Sequence, residues 1–179
     1  MKKIALVLAC CLAPALASAH DFDYTFVEGG YTSFDGQAEG PYVKGSYEFG
    51  DSGVYAFGQY TQVETELFDL DVDQAEIGVG YAHTVHQRVD LFGELAYQHV
   101  DTDFVDLDGY RVSLGARVHV WDKLDGLVRV NHYDGGDFVA DRSVTAGLEY
   151  GFNDRWSVVG EAEFNGSDRA YQLGARYSF

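Results

Sequence analysis

Cysteine is almost missing from this chain. The 179 residues hold two, Cys10 and Cys11, side by side in a short apolar run near the start. Beyond that run no disulfide, thiol chemistry or cysteine metal site is available. Proline is equally scarce, with Pro14 and Pro41 only, so little interrupts an extended ladder. Positive charge is short as well: 12 Lys and Arg face 29 Asp and Glu, a formal charge of −17. A chain this acidic lacks the basic surface that nucleic-acid binding requires. After residue 16 no run of about 18 apolar residues follows, which excludes a membrane-spanning helix. No Gly-rich phosphate loop, zinc ligand set or catalytic triad order is present, and no cofactor is expected.

What the chain does have starts at its N-terminus. Lys2 and Lys3 precede an apolar stretch over residues 4–16, and Ala17-Ser18-Ala19 fits a cleavage site before His20. This predicts a secretory signal peptide over residues 1–19 and one mature domain over residues 20–179. Cys10 and Cys11 suggest a lipoprotein as the alternative, disfavoured by the short apolar run before them and the A-x-A site after them. Removing Lys2 and Lys3 makes the mature chain still more acidic. All 13 Tyr, 12 Phe and 2 Trp lie beyond the signal, together with all 21 Gly. Aromatic-rich, Gly-rich and nearly free of Pro, this is an all-β composition.

Ten candidate strands follow, at 22–34, 41–49, 54–63, 73–84, 89–100, 109–120, 124–133, 142–150, 156–165 and 169–179. Their lengths suit tilted membrane-spanning strands of about 9–11 residues better than ordinary strands of about 5–6. The connections alternate between tight turns and longer acidic segments, the asymmetry of an outer-membrane barrel. The expected fold is a single antiparallel transmembrane β-barrel, an up-and-down meander of ten strands, with eight as the alternative.

Within the strands apolar and polar residues alternate. Tyr110, Val112, Leu114, Ala116, Val118 and Val120 share one face, and Arg111, Ser113, Gly115, Arg117 and His119 the other. On the apolar faces the rings gather near the strand ends, as two girdles around a hydrocarbon band would. The apolar face is therefore expected in lipid and the polar face in the lumen. Phe92, Leu127 and Val159 fall on the polar side by parity. The first strand is ambiguous, because Glu28 shares a face with Tyr24 and Phe26, and a bulge near Gly29-Gly30 would switch its faces.

The polar faces supply the candidate lumen: Lys44, Arg111, Arg117, Arg129 and Arg176 with Glu48, Glu76, Asp90, Glu94, Asp125, Glu149, Glu161 and Glu163. Buried charges must pair, so a salt-bridge network filling the barrel is the first expectation. A narrow cation-preferring pore is the alternative, given the acidic excess. In the loops, Asp69, Asp71, Asp73, Asp101 and Asp103 are weak candidates for divalent cations, without a complete EF-hand pattern, and no dedicated metal site is expected. They could also bridge to lipopolysaccharide phosphates through such cations. His99 beside Asp101 and Asp103, and His132 with Asp134, are the candidate acid–base pairs, but no enzyme is expected.

The last strand alternates Tyr171, Leu173, Ala175, Tyr177 and Phe179 with Gln172, Gly174, Arg176 and Ser178. It resembles the C-terminal strand of Gram-negative outer-membrane barrels, in which a terminal Phe is read by the barrel-assembly machinery. Across residues 20–179 the chain resembles the small OmpA/OmpX-type barrels. Its opening strand, Tyr24-Thr-Phe-Val-Glu-Gly-Gly-Tyr31, further resembles a xanthomonad-type family labelled as a sulfation-dependent quorum factor. These resemblances imply an outer-membrane location after export through the periplasm. They also imply contact with membrane lipid and lipopolysaccharide, and roles in adhesion, biofilm or envelope integrity. They bring no catalytic residues.

Overall fold

The computed structural model describes residues 22–35, 38–65, 70–102, 106–136 and 138–179. Ten antiparallel strands run in chain order: β1 (Phe26–Phe34), β2 (Ala38–Glu48), β3 (Val54–Thr65), β4 (Leu70–His86), β5 (Val89–Thr102), β6 (Asp106–Trp121), β7 (Leu124–Gly135), β8 (Phe138–Gly151), β9 (Trp156–Asn165) and β10 (Asp168–Ser178). Each pairs with its sequence neighbours, and β1 pairs with β10, so the sheet closes and leaves no edge. The ten-stranded meander is the expected fold. The proposed signal segment, Asp69 and Asp103 lie outside the described residues.

Burial is inverted relative to a soluble barrel. Ile77, Leu114 and Leu173 are 68%, 70% and 64% exposed, while Arg111 and Arg176 are 3% and 2% exposed. Period-two alternation carries this through the strands, which turn most aliphatic residues outward and most polar ones toward the axis, with Val63 and Val159 among the inward exceptions. Tyr31, Tyr60, Tyr97, Tyr110, Phe164 and Tyr171 ring the outside near one end. Tyr47, Tyr81, Trp121, Tyr150, Trp156 and Phe179 ring it near the other, where the tight turns and both described chain ends lie. That turn end corresponds to the periplasmic side in this architecture.

Three details depart from the sequence expectations. The first strand begins at Phe26 rather than Phe22, and residues 22–25 form a short strap at the turn end. No register shift occurs at Gly29-Gly30; β1 keeps one parity throughout, with Tyr24, Phe26, Glu28 and Thr32 inward and Val27 and Tyr31 outward. The acidic segments expected as loops are largely strand. β4 alone has 17 residues and begins at Leu70, and β6 begins at Asp106. At about 3.3 Å per residue, such strands rise well past an apolar band roughly 25 Å tall. Above the band the ladder stands in water, where alternation with apolar residues is no longer required. The acidic residues there form a rim, not free loops.

Candidate functional site: the barrel lumen

An alternating belt of charge lines the middle of the lumen. Arg111 on β6 donates to Glu76 on β4 at 2.5 Å and to Glu94 on β5 at 2.9 Å. Arg129 on β7 lies 3.5 Å from Glu94 and 3.6 Å from Glu161 on β9, and Lys44 on β2 lies 3.5 Å from Glu161. The order Glu76–Arg111–Glu94–Arg129–Glu161–Lys44 therefore travels around most of the wall. A second, tighter cluster holds the β1–β10 seam: Arg176 donates to Glu28 at 2.6 Å and to Glu149 at 2.6 Å. Closing the barrel sets β10 beside β1, with Arg176 directly opposite Glu28, so this pair exists only once the seam has formed.

Neutral groups extend the belt. Asn131, fully buried on β7, donates to Ser143 and Thr145 on β8 and accepts from Ser113 on β6 at 2.8 Å. Gln98 donates to Glu76, and Tyr42 donates to Glu28 at 2.8 Å. Among the described residues, the buried Arg129 Nε and Ser46 Oγ have no hydrogen-bond partner.

Toward the turn end the lumen becomes aromatic. Phe22, Tyr24, Tyr55, Phe57 and Phe92 form one buried cluster with Ala82 and Ala96, and Leu127 packs against it. Tyr24 stacks on Tyr55 at 4.8 Å between ring centroids, and Phe22 stacks on His119 at 4.2 Å. The rings lie across glycines of neighbouring strands. A Cβ on Gly115 would fall 2.4 Å from the Phe92 ring, and one on Gly80 2.2 Å from the Tyr55 ring. Glycine is required there for close approach, not for backbone freedom.

Above this floor the lumen is hollow. A cavity of about 610 Å³ extends from Tyr24, Phe26, Tyr55, Phe57 and Phe92 up to Asp35, Asp141 and Asp168 near the loop end. Its walls carry Gln59, Thr61, Gln74, Gln98, Tyr133 and Gln172. Beneath the floor a second space of only about 20 Å³ lies among Phe22, Asp125, Glu149 and Arg176. Arg117, Leu127 and Glu161 line both spaces.

The structure brings Lys44, Glu76, Glu94, Arg111, Arg129 and Glu161 into the belt, and Arg176 and Glu149 into the seam cluster. Five other candidates stand apart. Glu163 accepts from Tyr133 and Ser143 nearer the loop end, while Glu48 caps the turn at Gly53. Arg117 reaches the strap, and Asp125 pairs with His119. Asp90 is fully buried and accepts from Thr84 and Tyr24. Of the residues expected to form an assembly signal, Tyr171, Leu173 and Phe179 face outward, Ala175 shares their parity, and Tyr177 meets Trp156 and Phe179 edge-on.

At the rim, Tyr97 and His99 both meet Asp108 Oδ1, at 2.5 and 2.7 Å, and Tyr60 donates to Asp73 at 2.8 Å. His99 thus pairs across the ladder with Asp108 rather than with Asp101. Its hydrogen bond to Asp108 holds its pKa above the ordinary histidine value. His132 meets the Asp141 carbonyl, not the Asp134 side chain. Asp101 lies opposite Asp73 and Asp106, and its hydrogen bond with Asp106 raises its pKa. Asp71 belongs to β4. Among the described residues no three His, Cys, Asp or Glu side chains are arranged to hold a metal ion.

Sequence reasoning missed the ring floor. Parity places Phe92, Leu127 and Val159 on the polar side, and Gly78, Gly80 and Gly115 stand on the same polar faces. Those two signals together mark the place where rings lie over glycines.

No protein-family model matches the sequence, and no curated protein is significantly similar to it. Solved structures share the architecture. The KdgM porin is 15% identical, with 87% of this chain and 99% of that chain covered and a TM-score of 0.54. The NanC porin is 13% identical over 86% and 99%, with a TM-score of 0.58. The translocator domain of autotransporter NalP from Neisseria meningitidis is 12% identical over 90% and 90%, with a TM-score of 0.53. At such identities the likeness is one of fold. The chain is a small outer-membrane-type β-barrel, and its apolar exterior and charged interior suit it to lipid on the outside and a polar lumen within.

Proposed function

We propose that this barrel is closed to passive flux and acts in the outer membrane as a structural and surface-interaction protein. Its acidic rim is the working surface. The observation that carries this is the ring floor: Phe22, Tyr24, Tyr55, Phe57 and Phe92 pack together beneath the hollow half of the lumen. Envelope lipid and lipopolysaccharide are the contacts such a surface meets, with divalent cations bridging weakly at the rim carboxylates. Tyr171, Leu173, Ala175, Tyr177 and Phe179 would be presented to the assembly machinery during insertion. The resemblance of residues 24–31 to the xanthomonad-type proteins adds adhesion and biofilm formation to the roles in question. No catalytic role belongs to the proposal, and alanine at His99 or His132 is expected to leave envelope phenotypes unchanged. Planar-bilayer recording on the refolded native chain tests the closure. Silence at moderate voltage is expected; steady ohmic conductance would contradict it.

A narrow cation-preferring channel is the second reading. It is favoured by the 610 Å³ hollow and by the shared fold of KdgM and NanC, both described as porins.

A further inference from the structure

Residues 22–25 belong to no strand, yet Phe22 and Tyr24 are 5% and 3% exposed. A segment outside the ladder lacks the repeated backbone pairing that fixes a strand and is held largely through side chains. Arg117 donates to the Asp23 carbonyl at 3.2 Å and lies 4.8 Å over the Tyr24 ring. The Tyr24 hydroxyl reaches Asp90 at a long 3.3 Å, and the Phe22 ring stacks on His119. The Thr25 carbonyl and hydroxyl accept from the backbones of Phe179 and Glu48. Thr25 is therefore the anchored end, and Phe22 to Tyr24 the part that fills the turn-end mouth.

The position matters because the two lumen spaces almost meet. Arg117, Leu127 and Glu161 face both the large hollow and the small space beneath it, so one layer of side chains separates them. Two of the rings in that layer, Phe22 and Tyr24, come from the strap. The other rings, Tyr55, Phe57 and Phe92, stand on strands β3 and β5, fixed by the ladder and seated over glycines.

We propose that the strap is a displaceable plug, and that withdrawing it converts the closed barrel into a narrow conduit for small hydrophilic cations. Withdrawal removes Phe22 and Tyr24 from the mouth and frees Arg117 and Asp90 from their strap contacts. Solutes are then surrounded by the inward carboxylates Glu28, Glu48, Asp90, Asp125, Glu149 and Glu161, which outnumber Lys44, Arg117, Arg129 and Arg176 along the same path. A lumen lined this way favours cations. The proposal rests on the closure of the native barrel but is tested separately from it.

The test is conductance of the full mature chain carrying Phe22→Ala and Tyr24→Ala, recorded beside the native chain in a potassium chloride gradient. Discrete openings with a reversal potential on the potassium side, where the native chain is silent, are expected. A variant that retains heat-modifiable gel migration, and so is a folded barrel, but stays silent would overturn the plug. Conductance in the native chain would instead overturn the closure. Should the double variant fail to fold, Phe22→Cys alone decides, since the mature chain has no other thiol. Reaction with a water-soluble cationic thiol reagent in the folded barrel is expected, and complete protection would reject a displaceable strap.

Discussion

The two ends of the lumen are built from different chemistry. At the turn end, rings lie flat over glycines and Arg176 joins Glu28 and Glu149 at 2.6 Å in a nearly dry seam. Above the floor, amides and hydroxyls border a hollow, and in the belt at mid-height Lys44 and Arg129 reach Glu161 only at 3.5 and 3.6 Å. Ten strands enclose more cross-section than belt side chains of this kind fill. Closure therefore depends on where the sequence supplies rings and the glycines that make room for them. Salt bridges tie strands to one another around the wall, but here they do not seal the axis.

The largest effect should come from breaking the dry end. Arg176→Ala strands Glu28, whose side chain is 1% exposed, without its cation. Removing one partner of a buried pair costs about 3–5 kcal/mol, and urea unfolding of the refolded barrel should show a loss of that size. Next is Gly115→Ala, which sets a Cβ against both the Phe92 ring and the Val128 carbonyl. Overpacking of this kind costs about 1–3 kcal/mol, and the same unfolding assay reads it. At the hollow end Gln59→Ala removes a wall amide that faces the cavity. A change within roughly 0.5 kcal/mol is expected there; a loss as large as that of Gly115→Ala would erase the contrast between the ends.

The smallest effect lies on the rim. The hydrogen bond from His99 to Asp108 raises the histidine pKa. Its contribution is fully present below the ordinary histidine value and is lost as pH rises through the raised one. An NMR titration should place the His99 midpoint higher in the native barrel than in Asp108→Asn. Equal midpoints would remove the pairing.

Much of this molecule is visible in its sequence because alternation carries most of the information. Leu114 outward and Arg111 inward follow from parity alone, and the even strand number follows from counting turns. The strap does not. Phe22, Tyr24 and Phe26 continue one alternating pattern, so nothing local marks where the ladder ends and the plug begins. The ring floor is hidden for a related reason. Gly80 under Tyr55 and Gly115 under Phe92 are cross-strand neighbours, and their meeting depends on register, which a single chain pattern leaves unspecified. The acidic rim reads as loops because Asp-rich segments lack apolar alternation, although ladder hydrogen bonds need none. Glu28 looked misplaced until β10 brought Arg176 opposite it.

Thiol accessibility from the outer side compares the two ends most directly, since a chain refolded over residues 20–179 is free of cysteine. Gln172→Cys faces the hollow and Val159→Cys, at a position 4% exposed, lies below the floor. With a bulky water-soluble reagent added outside the vesicles, Gln172→Cys should react promptly and Val159→Cys should stay protected. Equal labelling of the two would mean that water runs the length of the barrel, and the sealed turn end would be wrong.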